Sequence, residues 1–132
     1  MTYDNKKYRF RITLPASCKG YSIMVGEWHG SVYEEGHDSP AQQVKGPLIT
    51  IRHPLWTEAN PWQDLPVMVF THAQWKYVEE YRIEVSAAPF GPGEIGRNAK
   101  YMFTLPPRLT VADVNGRDAV EGMLRHQPLH AY

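Results

Sequence analysis

Tyr8-Arg9-Phe10-Arg11-Ile12-Thr13-Leu14 places an apolar side chain at every second position. Successive side chains of an extended chain point to opposite faces. Tyr8, Phe10, Ile12 and Leu14 therefore share one face, and Arg9, Arg11 and Thr13 share the other. Strict alternation of this kind marks a strand with one buried and one wet face. Pro15 ends the strand, because proline has no N–H to give a neighbour.

The same pattern recurs further along. Tyr21 to Trp28 is a second strand, with Tyr21, Ile23 and Val25 alternating, and Ser31 to Glu34 is expected to return from it through a turn at Gly30. The stretch 35–46 carries Gly36, Asp38, Ser39 and Pro40 with little periodicity and reads as a long exposed loop. Leu48 to Arg52 is a short strand and Val67 to Phe70 a buried one. Between them, 54–66 contains Pro54, Pro61 and Pro66 together with Trp56 and Trp62, and is expected to be irregular. Gly91, Pro92, Gly93 and Gly96 mark a mobile loop. Lys100 to Leu105 is a strand closed by Pro106 and Pro107, and Leu109 to Val111 adds a short one.

Two helices interrupt the strands. Thr71 and Gln74 have the spacing of a capping box, and Phe70 and Trp75 that of a hydrophobic staple. This predicts a helix over 72–79, followed by a strand over 81–87 in which Tyr81, Ile83 and Val85 alternate. Asp118 and Glu121 repeat the capping-box spacing, and Ala119, Val120, Met123 and Leu124 form a helical stripe. Arg125 and His126 suit the negative end of that second helix, near 118–126, and Pro128 stops it. The expected fold is a mainly antiparallel α+β sheet structure of six or seven short strands with two short helices. Regular strand-helix-strand alternation, which a doubly wound sheet needs, is absent.

The 132 residues suit a single compact domain spanning 1–132. A chain of this length buries roughly two-thirds of its unfolded surface and needs no staple. Cys18 is the one cysteine, so no internal disulfide forms and a cytoplasmic setting is expected. The polar N-terminal segment does not read as a secretory signal. No apolar run approaches the roughly 20 residues of a membrane helix, so no membrane partner is expected. Fourteen basic and fourteen acidic residues cancel, which removes the overall charge of a general nucleic-acid binder. The distribution is uneven, though. Lys6, Lys7, Arg9, Arg11 and Lys19 crowd residues 1–20, whereas Glu27, Glu34, Glu35 and Asp38 lie in a stretch without Lys or Arg. The simplest expectation is that these two segments approach each other.

Chemistry-bearing residues form no tight motif. Glu27 and His29 stand two apart, hence on one face of a strand, and His37 and Asp38 follow. Together they offer a mixed nitrogen and oxygen metal site, though not at a zinc-enzyme spacing. Cys18 lies beside Lys19, a neighbour able to lower a thiol pKa, but no histidine partner is identifiable. The glycines near Arg97 suggest a phosphate cradle, yet the Walker spacing is missing and Pro92 has no N–H to donate. Lys6, Lys7, Arg9 and Arg11 form the best nucleic-acid feature. Because Tyr8 and Phe10 are core positions, that face has no stacking platform.

Aromatic residues make up 12% of the chain, and Trp56, Trp62 and Phe90 fall in segments that read as irregular. Loop aromatics are common anchors at protein interfaces. A competing expectation is that the tryptophans fold back to cap the core. The leading reading is a non-catalytic protein-binding module without cofactor. It would be a small accessory or inhibitory protein, of the kind phages and other mobile elements encode. Its partner is another protein, with self-association open through any exposed strand edge. Nucleic-acid binding through the basic strand and a small metal-dependent enzyme at Glu27, His29, His37 and Asp38 are the alternatives.

Overall fold

A computed structural model describes residues 1–33, 40–79, 83–85, 93–106 and 114–132. They form two antiparallel sheets. The smaller contains β1 (Thr2–Asn5), β2 (Phe10–Thr13) and β9 (Leu129–Ala131), in the order β1-β2-β9. The larger contains β3 (Ser22–Tyr33), β4 (Pro40–Arg52), β5 (Leu65–Thr71), β6 (Ile83–Val85), β7 (Gly93–Arg97) and β8 (Tyr101–Leu105). Its order is β6-β3-β4-β5-β8-β7. Helices α1 (His72–Glu79) and α2 (Arg117–Leu124) complete the fold, which is the expected antiparallel α+β class.

The small sheet packs on one face of the large one. Phe10, Ile12 and Leu129 meet Ile49, Ile51, Val67, Val69, Phe103 and Leu105 in the main core, and Val120 of α2 closes it. The opposite face carries a second cluster of Trp28, Met68, Phe70 and Met102 under Trp75 of α1. β5 is interior and buried on both faces, so its sequence is a continuous apolar run instead of an alternating one.

α1 starts as its sequence demands. Gln74 Oε1 accepts from Thr71 N–H at 2.9 Å, and Gln74 N–H donates back to Thr71 Oγ1 at 3.1 Å. Phe70 and Trp75 meet edge-on, with centroids 5.5 Å apart. α2 starts differently. Its N-cap is Gly116 at φ 79° with no side-chain cap bond. Glu121, expected to reach back in a capping box, pairs with Arg117 at 3.0 Å.

Several local expectations yield to long-range pairing. Tyr8 and Arg9 lie in the β1–β2 turn, and Arg9 adopts φ 65°, so the strand begins at Phe10. Gly30 makes no turn. It sits within β3, paired with Val44 on one side and Val85 on the other. Residues 40–46, read as loop, extend β4 along that lengthened β3. Their polarity fits a strand on the part of the sheet that the small sheet does not cover. Gly93–Arg97 is an edge strand with a bulge between Glu94 and Gly96, not a mobile loop. β9 has no periodicity to announce it, because three residues are too few to show one. The predicted strand over 109–111 lies outside the described residues.

Candidate functional site

The chain between β4 and β5 leaves the sheet at Arg52 and returns at Asp64. Arg52 Nε and Nη2 donate to the two carboxylate oxygens of Asp64 at 3.0 and 2.7 Å, closing the neck of the loop. This hydrogen bonding raises the Arg52 pKa further above its usual range. A planar guanidinium fork matches a carboxylate in this way where a lysine would not. The same guanidinium lies over the Trp56 ring, 3.6 Å from its centroid. One arginine therefore clamps the loop and holds its tryptophan.

The tip is pinned by its own turns. Thr57 and Asn60 exchange backbone hydrogen bonds at 3.3 and 3.2 Å, and Thr57 Oγ1 accepts from Asn60 N–H at 3.0 Å. Asn60 Oδ1 accepts from the Asn115 side chain at 2.9 Å. Leu55 stands 59% exposed beside half-buried Trp56. A compact loop packed by its own side chains is a common carrier of contacts.

The two tryptophans play different parts. Trp62 stacks on the His53 ring at 4.1 Å and 10°. Its backbone bridges Asn115, and a Cβ added to Gly116 would lie 3.0 Å from its ring. Trp62 thus folds back and joins the loop to α2, while Trp56 lies over Arg52 beside the exposed tip. Phe90 lies outside the described residues.

The basic residues of the N-terminal hairpin are exposed but engaged. Arg11 pairs with Asp4 at 3.7 Å, and Arg9 and Arg11 both lie over the Tyr132 ring, 5.6 and 4.7 Å from its centroid. Tyr132 donates its hydroxyl to Asp4 at 2.7 Å, a bond that raises the phenol pKa. Lys7 lies 5.4 Å from the Tyr8 ring, and Lys6 is in the same turn. Glu27 of the acidic stretch does not supply their counter-charge, since it pairs with Lys45 at 3.2 Å, and Glu34, Glu35 and Asp38 lie outside the described residues.

Glu27 and His29 share the exposed side of β3 as expected. Lys45 stands opposite His29 in register, so a cation already faces this pair. His37 and Asp38 lie outside the described residues, among which no cluster of three or more metal-ligating side chains occurs. Arg97 is no free phosphate ligand, because Glu94 holds it through two bonds of 2.7 and 2.8 Å. Burial raises the Cys18 thiol pKa, the opposite of activation by Lys19. Among the described residues, no helix is long and apolar enough to cross a membrane.

Sequence reasoning missed Asn98. Its side chain accepts from Lys100 and Tyr101 N–H, both at 2.9 Å, and donates to the carbonyls of Tyr8 and Arg9. It clamps the β7–β8 turn to the small sheet. An Asn three residues before a strand is a turn signal, but its second set of partners is distant in sequence.

No protein-family model matches the chain, and no curated protein or solved structure matches it.

Proposed function

We propose that this protein is a non-catalytic protein-binding module whose contact surface is the β4–β5 loop, with Leu55 and Trp56 as anchors. The clamp of Trp56 by an Arg52 already bonded to Asp64 carries this reading. An aromatic side chain held before contact loses little entropy on binding, and the apolar leucine beside it favours a partner with an apolar groove. The lone cysteine supports a reducing, cytoplasmic setting for that partner.

The test compares capture from host lysate by wild type and by Leu55→Ala/Trp56→Ala, with and without nuclease. A control variant, Val25→Ala, removes an apolar side chain elsewhere that is more exposed than Leu55. The double variant should keep the wild-type melting temperature and lose the captured protein at least tenfold, while the control keeps it. Capture that is equal in all three proteins, or a partner that nuclease removes, overturns the proposal. The second result would transfer the function to the basic hairpin.

A further inference from the structure

Arg9 is a non-glycine residue at φ 65°, in the left-handed region that L side chains avoid. Three hydrogen bonds hold it there. Its N–H donates to the Asn5 carbonyl at 2.8 Å. Its carbonyl accepts from Tyr132 N–H at 2.9 Å and from Asn98 Nδ2 at 3.2 Å. The surrounding structure thus over-determines a strained backbone, and an exposed guanidinium projects from it. Strain kept in this way points to a use for the side chain. Other cations gather around Arg9. Lys6 and Lys7 precede it in the same turn, and Arg11 follows on β2. Asn98 accepts from Lys100 N–H at 2.9 Å while its amide reaches the Tyr8 and Arg9 carbonyls, which brings Lys100 beside that turn. All five are exposed.

Their charges go largely unanswered. Lys45, Arg52, Arg97 and Arg117 elsewhere each meet a carboxylate within 3.2 Å. Lys6, Lys7, Arg9 and Lys100 meet none among the described residues. Asp4, the one acidic residue of the small sheet, is committed to the Tyr132 hydroxyl at 2.7 Å and comes only to 3.7 Å from Arg11. In a chain of zero net charge this is a local cationic excess, and such a patch steers an anionic partner. We propose that the cluster is a docking site for an acidic polypeptide segment, with Arg9 as its anchor. Nucleic acid fits it less well. Tyr8 and Phe10 are buried, and the Tyr132 ring lies beneath Arg9 and Arg11, so no open ring remains for a base to stack on. Guanidinium forks suit carboxylates, as the Arg52–Asp64 and Arg97–Glu94 pairs of this chain show. The site stands apart from Leu55 and Trp56. Lys100 adjoins Tyr101, which pairs with Thr71 at one end of β5, and the β4–β5 loop joins at the other end. About 20 Å of strand separates the two surfaces, so either can fail its test while the other passes.

The test follows fluorescence anisotropy of labelled decaglutamate, and of an oligothymidylate of equal charge, titrated with the full chain. At about 20 mM salt decaglutamate should bind saturably and at least as tightly as the oligothymidylate, and about 200 mM salt should weaken it about tenfold. Arg9→Gly removes the charge and the backbone strain together. It should therefore melt at or above the wild-type temperature, yet bind decaglutamate about fivefold or more weakly. A residue with a merely structural role would not separate these two readouts. Lys6→Gln/Lys100→Gln should lose at least as much affinity. Lys19→Gln is the control, an exposed cation beside Gly20, where an added Cβ would lie 3.6 Å from Pro54 at the loop end of the molecule. It should stay within about twofold of wild type. Four results overturn the proposal: no saturable binding of decaglutamate at low salt, wild-type affinity in Arg9→Gly, an equal loss in Lys19→Gln, or tighter binding of the oligothymidylate. The third would reduce the effect to net charge, and the last would assign the cluster to nucleic acid.

Discussion

Cys18 ends a 3-10 turn, Ala16–Cys18, and is half-buried against the main core. Burial disfavours the thiolate, so the folded pKa lies above the usual thiol value despite the hydrogen bond from Ser17. The protonated thiol is the form that the fold favours. The stability this contributes is complete below the unfolded pKa and is lost as pH rises through the higher folded one. Alkylation by iodoacetamide should therefore show a rate–pH midpoint higher for native protein than for the chain in urea. Equal midpoints would contradict the assigned environment. The neighbour that sequence offered, Lys19, does not act, because proximity in sequence does not bring its charge onto the sulfur. A similar lesson comes from the tryptophans. Trp56 and Trp62 sit in one proline-rich stretch, and only the positions of Arg52, His53 and Gly116 separate a ring held under an arginine from a ring folded back toward α2.

At the scale of elements, legibility follows locality. The capping box and staple of α1 lie within a few residues of one another and form as read. The extent of β3 and β4 was hidden, because a strand's reach depends on a partner distant in the chain. Gly46 shows what settles that register. It lies opposite Trp28, whose indole N–H donates to the Val69 carbonyl at 2.7 Å and whose ring stacks on Phe70 at 4.2 Å. A Cβ on residue 46 would fall 2.6 Å from Trp28 Cε2. The indole is fixed by its bond and its stack, so it has little freedom to move aside. Gly46→Ala should cost about 1–3 kcal/mol, the range of overpacked sites, seen as a lower urea midpoint. An unchanged midpoint would mean that the ring is free to move. Gly26→Ala, where a Cβ meets nothing within 4 Å, serves as the control for the intrinsic effect of replacing a strand glycine.

The whole molecule is organised by the strands that face both ways. β5 gives Val67 and Val69 to the core beneath the small sheet, and Met68 and Phe70 to the cluster beneath α1. β8 does the same with Phe103 and Met102. Neither cluster can lose its sheet while the other keeps it, so the reading of residues 1–132 as one domain predicts one cooperative transition. Leu129 is the place to test this. It is 6% exposed on β9 and packs across to the large sheet, where a Cβ on Gly96 would meet its Cδ2. Through β9 it also holds Phe10 and Ile12 of β2 in register over the main core. Leu129→Ala should destabilise by about 2–4 kcal/mol, as buried leucine truncations do. Trp28 and Trp75 lie in the cluster on the far face, away from this leucine. If the faces are coupled, the fluorescence of Trp28 and Trp75, read in a Trp56→Phe/Trp62→Phe background, and far-ultraviolet circular dichroism should report the same lowered midpoint. A fluorescence midpoint left at the wild-type value while the dichroism midpoint falls would show two separately stable halves, and the single-domain reading would fail.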